Sequence, residues 1–164
     1  MIYNIDSEIE FSFDFDYPKV YEDVVSCVLD HFNCEYDCEV SLILTDNDSI
    51  REINRDTRGI DKATDVLSFP NIEYKKAGDF TLIDETEDYF EPETGELILG
   101  DIVLSVDRVL SQAEEYGHSV LREYAFLICH SMLHLCGFDH IDEDDRIIME
   151  KYQTDIMEIL NIKR

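Results

Sequence analysis

Apolar residues alternate with polar ones in some segments of the chain and recur every three to four residues in others. Alternation is typical of a half-buried strand, and the longer spacing is typical of an amphipathic helix. Strands are predicted at 36–45, 66–69 and 97–104, with one or two more within 2–13. Helices are predicted at 18–32, 46–58, 105–117, 119–136 and 142–160. This alternation of elements indicates one mixed α+β or αβα layered domain spanning 1–164.

Capping residues mark the ends of the predicted helices. Polar side chains that accept hydrogen bonds begin a helix, and glycine can adopt the left-handed conformation that ends one. N-terminal caps are expected at Asp46 or Asp48, Ser105 and Asp142, and C-terminal glycines at Gly59 and Gly117. The apolar stripe expected on the last helix consists of Ile148, Tyr152, Ile156 and Leu160.

The segment 71–96 is acidic and has no clear periodicity. A connection of this length within a small domain is typically a lid, a binding loop or a disordered segment. The pattern does not distinguish among these three.

The chain is strongly acidic. Thirty-nine Asp and Glu against thirteen Lys and Arg give a net charge of −26, which repels polyanions at long range. Non-specific binding of nucleic acid is therefore disfavoured, and DNA is not expected as a partner. An RNA substrate would have to enter a locally basic groove or be presented by a partner.

Length and composition favour an ordinary folded protein. The chain has 164 residues, of which 45% are hydrophobic and 11% aromatic. Its longest purely apolar run, 124–129, is too short to cross a bilayer. The first residues contain neither a basic region nor an apolar stretch, so a cytoplasmic location is expected.

Three of the five histidines lie within eleven residues, as His130-x3-His134-x5-His140. Two histidines four apart on a helix present their imidazoles on one face. Gly137 can end that helix and turn the chain, so that His140 returns as a third ligand. Three nitrogen ligands with an open fourth position are typical of a catalytic zinc site. The spacing therefore predicts one Zn²⁺ ion bound by these residues.

The same spacing occurs in metzincin peptidases, where a glutamate follows the first histidine and acts as the general base. Ser131 occupies that position here and cannot take a proton from water at neutral pH. A zinc-dependent peptidase is therefore an alternative interpretation.

Other residues near the motif allow both structural and functional interpretations. Asp139 can orient an imidazole or cap a turn. Thr64 and Asp65 can cap a strand or supply polar groups to a pocket, and the structural role is favoured. His118 is expected at the junction of two helices. The remaining candidates are the cysteines 27, 34, 38, 129 and 136, which are odd in number and are expected to be reduced thiols.

A basic stripe is expected on the second helix. Arg51, Arg55, Arg58 and Lys62 recur every three to four residues, with acidic residues interleaved. Arginine is suited to bidentate contact with phosphate, but exposed ion pairs and the helix dipole are the favoured explanation of the stripe.

Several blocks of the sequence together resemble the YbeY family of bacterial endoribonucleases. The family motif His-Gly-x-Leu-His-Leu-x-Gly-Tyr-Asp-His is similar to 130–140, with Ser131 in place of Gly and Phe138 in place of Tyr. A second block that ends in Pro-Thr-Asp-Val-Leu-Ser-Phe-Pro is similar to 54–70, with Ala63 in place of its Pro. The stretches 99–105 and 115–119 are also family-like.

The resemblance implies a four-stranded sheet flanked by helices, with a zinc site in a cleft. It implies His130, His134 and His140 as metal ligands and Arg58 as the catalytic or phosphate-binding arginine. It further implies a phosphodiester hydrolase that cleaves single-stranded ribosomal RNA in rRNA maturation and ribosome quality control. The small ribosomal subunit or its assembly proteins are expected partners. A non-catalytic assembly factor with a structural metal is a further alternative.

Overall fold

Four strands form one mixed sheet in the computed structural model, which describes residues 1–163. The strands are β1 (Ile2–Ser7), β2 (Cys38–Thr45), β3 (Val66–Pro70) and β4 (Leu97–Ser105), arranged in the order β1-β2-β4-β3. β1 and β4 pair with β2 in parallel, whereas β3 pairs with β4 antiparallel. The expected four-stranded mixed sheet is confirmed.

Five α-helices flank the sheet within residues 1–163. They are α1 (Tyr17–His31), α2 (Asn47–Arg58), α3 (Val106–Tyr116), α4 (Val120–Leu135) and α5 (Glu143–Ile159). Asp46, Ser105 and Asp142 accept a backbone N–H in the first turn of the helix that follows each of them. Gly59 and Gly117 end α2 and α3 in the left-handed conformation. The α+β class and the predicted caps are confirmed.

The two faces of the sheet carry separate apolar clusters. On one face, Leu42 packs in the main core with Tyr21 of α1 and Tyr124 of α4. On the other face, Val103 packs with Ile50 of α2 in a smaller cluster. The sheet therefore separates α1 and α4 from α2, and α4 is the central helix of the main core.

The predicted stripe on α5 is partly wrong. Ile148 is 46% exposed, whereas Met149 and Gln153 are buried together with Ile156. The helix is rotated so that a polar residue faces α4. This is possible because the Gln153 amide has a hydrogen-bond partner there, the imidazole of His130.

Of the one or two strands predicted within 2–13, the structure contains one, β1. Pairing between β1 and β2 ends at Ser7, opposite Leu44. Beyond it, Phe11 and Phe13 pack against one another and against Tyr17. The apolar residues that suggested a second strand therefore anchor a connection through aromatic contacts.

The segment 71–96 is anchored to the protein. Its Phe80 is only 3% exposed and lies in a short 3₁₀ turn, Phe80–Leu82. Gly78 donates its N–H to the carbonyl of Cys136, and the Tyr74 hydroxyl donates to that of Leu135. The segment thus packs against the end of α4. Among residues 1–163, no helix is long and apolar enough to cross a membrane.

Candidate metal centre and cleft

The position of His130 and His134 follows from the burial of α4. Its apolar residues, such as Ile128 and Leu133, are fully buried, so the face that carries the two histidines has a fixed orientation. Helix α4 ends at Leu135 with Cys136 as its C-cap, and Gly137 follows with a φ of +97°. A side chain at Gly137 would also collide with the ring of Tyr74. This glycine lets the chain turn back toward the helix.

The turn brings His140 to the two helical histidines. The ligand atoms of His130, His134 and His140 all lie within 4.8 Å of one another. The Nε2 atoms of His130 and His134 are 3.2 Å apart. The three predicted residues therefore form one cluster that can hold a metal ion, and the predicted helix with a His-x3-His-x5-His motif is confirmed.

The outer nitrogens of two rings have hydrogen-bond partners. Nδ1 of His134 lies 3.0 Å from the carbonyl oxygen of Phe138. Because a carbonyl oxygen only accepts, this Nδ1 carries the proton and Nε2 is left with a free lone pair. Nδ1 of His130 lies 2.6 Å from the side-chain amide of Gln153. An amide can accept through oxygen or donate through nitrogen, so Gln153 is compatible with either tautomer of His130.

Gln153 is a site residue that the sequence did not reveal. It is 23 residues from His130 along the chain and only 7% exposed. The sequence places Gln153 directly after Tyr152 of the predicted apolar stripe, and a polar residue at such a position is normally exposed. The pattern therefore gave no reason to expect that it is buried.

Burial also sets the charge of the imidazoles. Removal from water disfavours the protonated form and, with His134 and His140 nearby, lowers the pKa of His130 to about 4. The same desolvation lowers the pKa of His134. Both rings are therefore neutral at pH 7, as metal ligation requires. Neutral imidazoles with converging lone pairs fit a borderline-soft divalent cation such as zinc.

The cluster opens into a cleft with a volume of about 450 Å³. Arg58, the last residue of α2, lines this cleft together with His130, His134 and His140. The other lining residues are Thr64, Asp65, Val66, Ser68, Pro70 and Asp139. The cleft thus combines a possible metal site with a guanidinium group.

The predicted basic stripe divides into two kinds of arginine. Arg51 pairs with Asp61 and Arg55 pairs with Asp56, both on the surface. Within residues 1–163, the guanidinium of Arg58 has no carboxylate partner, and it is the stripe residue that lines the cleft. The structural interpretation of the stripe therefore holds for Arg51 and Arg55, while Arg58 is available to an anion.

The less certain candidates occupy defined positions. Asp139 lines the cleft, and its Oδ1 accepts the backbone N–H of His140, so it caps the turn. Asp65 caps β3 by accepting the N–H of Val66, and it also lines the cleft. Cys129 and Cys136 are buried and lie outside the metal-binding group found among the described residues.

Ser131 does not supply the missing base of a peptidase. It is fully buried, and its hydroxyl lies 2.6 Å from that of Ser68 on β3. The residue therefore joins α4 to the edge of the sheet and leaves the metal cluster without a carboxylate at this position.

Comparison with known proteins decides the family. A family model described as Endoribonuclease YbeY matches residues 1–161. The chain belongs to the YbeY endoribonuclease family. Endoribonuclease YbeY of Agathobacter rectalis is 54% identical over 165 residues, which cover 100% of both chains. Endoribonuclease YbeY of Lachnoclostridium phytofermentans is 47% identical, again over 100% of both chains.

A solved structure supports the fold independently. The solution structure of TM1509 from Thermotoga maritima matches 98% of this chain and 92% of its own, with a TM-score of 0.55 and 22% identity. At this identity the match shows the fold alone.

Proposed function

We propose that this chain is a zinc-dependent endoribonuclease, specific for single strands, that acts in ribosomal RNA maturation and ribosome quality control. The observation that supports it best is the meeting of three histidines and an unpaired arginine in one cleft. Membership of the YbeY endoribonuclease family supports the same activity. In this proposal, residues 1–164 act as one domain.

His130, His134 and His140 would hold one zinc ion through ring nitrogens that converge in the cleft. Bound there, zinc would supply the Lewis acidity that makes water a nucleophile near neutral pH. Gln153 and the carbonyl of Phe138 hold two of the rings in place, which preserves the geometry of the ligand set.

Arg58 is the proposed catalytic arginine. A guanidinium binds phosphate oxygens in a bidentate manner and stabilises the charge that develops on them during hydrolysis. Its position at the C-terminal end of α2, on the wall of the same cleft, suits a phosphodiester placed beside the metal. No group is assigned as a general base.

The charge of the chain bears on its partners. At −26, the protein repels free RNA at long range. A substrate held on the small ribosomal subunit, or presented by assembly proteins, would be brought to the cleft despite this repulsion. The proposal therefore places the protein in the cytoplasm, with the assembling subunit as its partner.

The test is cleavage of a labelled single-stranded ribosomal RNA fragment by protein of known zinc content. Arg58→Ala is expected to lower kcat/KM about 100-fold or more, since it removes a charge that stabilises the transition state. Chelation is expected to abolish cleavage. Arg55→Ala is the matched control, because Arg55 lies on the same helix but pairs with Asp56 outside the cleft.

The results separate the alternatives. Cleavage lost on chelation and in Arg58→Ala, but kept in Arg55→Ala, supports the nuclease. RNA left intact by protein with firmly bound zinc, both free and on isolated small subunits, would favour the assembly factor. Metal-dependent cleavage of an unstructured protein would favour the peptidase.

A further inference from the structure

A second cavity opens beside the metal cleft, between α3 and α4. It has a volume of about 310 Å³. Asp65 lines both this cavity and the metal cleft, so the two spaces are neighbours. The cavity has no role in metal binding, because none of the three histidines lines it.

The cavity follows the same face of α4 as the metal cluster. Glu123 lines the cavity and His130 lines the cleft. These residues are seven positions apart, which is nearly two helical turns and about 10 Å along the axis. A stacked nucleic-acid strand rises about 3.4 Å per nucleotide, so a strand in the cleft would reach the cavity within about three nucleotides.

One wall of the cavity is a buried polar network. His118 and Glu123 are only 8% and 2% exposed, and Nε2 of His118 is hydrogen-bonded to the Glu123 carboxylate. The Gln112 amide donates to Glu123 at 2.9 Å and to Asp65 at 3.4 Å. Nδ1 of His118 is buried without a partner, as is Nε of Arg122. Buried polar atoms are rarely left unpaired, so this wall has hydrogen-bonding capacity that its own residues do not use.

The rest of the lining is apolar, namely Leu127 and two aromatic residues. Tyr116 is 50% exposed, and Phe126 is partly buried on the facing helix. Exposed aromatic rings beside hydrogen-bonding groups are the means by which proteins bind unstacked bases of single-stranded RNA. The wall carries two carboxylates, Asp65 and Glu123, against one guanidinium, that of Arg122, so a neutral ring with N–H donors is favoured over a phosphate.

We propose that this cavity binds the nucleobase of a substrate nucleotide close to the scissile phosphate. The base stacks on Tyr116 and hydrogen-bonds to the polar wall formed by Gln112, His118 and Glu123. The assignment deepens the proposed ribonuclease function and rests on it, since RNA is the ligand that the neighbouring cleft is proposed to hold.

The test uses zinc-loaded protein and single-stranded oligoribonucleotides in which one abasic residue is moved along the sequence around the cleavage site. Binding is measured by fluorescence anisotropy directly after mixing, and cleavage by gel. Loss of the base at one position is expected to weaken binding to wild type about tenfold, because one stacked base is lost. In Tyr116→Ala, the same abasic residue is expected to change affinity less than twofold, because the stacking partner is already absent.

Leu110→Ala is the matched control. Leu110 is an exposed residue of α3, like Tyr116, but does not line the cavity. In Leu110→Ala, the abasic residue is expected to weaken RNA binding by the same factor of about ten as in wild type. Tyr116→Trp is a second check, because the larger ring should tighten binding of RNA several-fold only when the base proposed to stack on it is present. Misfolding cannot produce tighter binding.

The proposal is overturned if Tyr116→Ala responds to every abasic position as wild type does, or if wild type binds RNA with no position-specific effect. Cleavage without such an effect would remove the nucleobase site and leave the nuclease. A position-specific effect on binding without any cleavage would remove the nuclease and leave the nucleobase site. Failure to bind any of these RNAs would overturn the nucleobase site, while the nuclease is judged separately by cleavage on isolated small subunits.

Discussion

At the scale of single residues, the hydrogen bond between Gln153 and Nδ1 of His130 holds the imidazole in its orientation at the cleft. A ligand histidine that presents Nε2 must carry its proton on Nδ1, and that proton needs an acceptor. The atom of buried Gln153 that lies 2.6 Å from Nδ1 of His130 is Nε2, and a 180° flip of the amide places its oxygen, an acceptor, at the same position.

Replacing Gln153 by leucine should therefore weaken zinc binding about 10- to 100-fold, because the buried Nδ1–H loses its acceptor. Competition with a chromophoric chelator measures this affinity. Gln153→Glu should retain or increase it, because a carboxylate still accepts the proton. Equal affinities for the leucine variant and wild type would show that Gln153 does not orient the ligand.

The depressed pKa of His130 has a consequence for the metal-free protein. Its folded-state pKa of about 4 lies below the value of about 6.5 for an unfolded chain. The unfolded state therefore binds more protons between these values. The stability contributed by the neutral ring is complete above pH 6.5 and is lost as the pH falls toward 4.

Between pH 7 and pH 5, the free energy of unfolding of the metal-free protein should fall by about 2 kcal/mol more than that of His130→Asn. Urea denaturation at the two pH values measures this difference. The many carboxylates titrate alike in both proteins and cancel in the comparison. Parallel loss in both proteins would mean that His130 is not the group responsible.

At the scale of elements, the position of β3 depends on the close approach of Gly100 to Phe69. Gly100 on β4 has a φ of +136°, and a Cβ at this position would overlap the carbonyl oxygen of Phe69. Ser68 and Pro70 of β3 line the metal cleft, so the pairing of β3 with β4 determines the shape of the site.

Gly100→Ala should destabilise the protein by about 3 kcal/mol, because both the backbone conformation and the contact with Phe69 resist a side chain. The midpoint of urea unfolding measures the loss. Gly59→Ala is the control, since Gly59 also has a positive φ but has open space around it, and its cost should be about 1 kcal/mol. Similar losses at both positions would contradict the steric argument.

The elements themselves were largely predictable because their signals are local. Asp46, Ser105 and Asp142 hydrogen-bond within the turn that follows each of them, so their sequence context was sufficient. The rotation of α5 was not predictable. Burial of Gln153 in preference to Ile148 depends on a partner in α4, and no local pattern contains that contact.

At the scale of the whole molecule, the charge of −26 sets the salt dependence of RNA binding. Arg58 is the one arginine or lysine of the described chain that lines the cleft, so few phosphate contacts are expected there. Salt weakens those contacts, but it also screens the repulsion between the acidic surface and RNA.

The logarithm of the binding constant for single-stranded RNA should therefore fall with the logarithm of salt concentration with a slope shallower than about −2. Anisotropy titrations at salt concentrations between about 50 and 200 mM measure this slope. Arg58→Ala should make the slope less negative by about 0.7, the value of one phosphate contact on a single strand. A slope near −5 would show that basic residues outside the cleft carry the binding.

The sequence by itself determined the histidine cluster, the helix ends and the family. His130, His134 and Gly137 belong to one helix and its terminating turn, where geometry follows from residue spacing. Only the tertiary structure decided which other groups meet them. Gln153 reaches His130 through the packing of α5 on α4, and Arg58 enters the cleft through the position of α2. The cavity beside Asp65 likewise exists because α3 and α4 pack together, and such distant contacts leave no periodic trace in the chain.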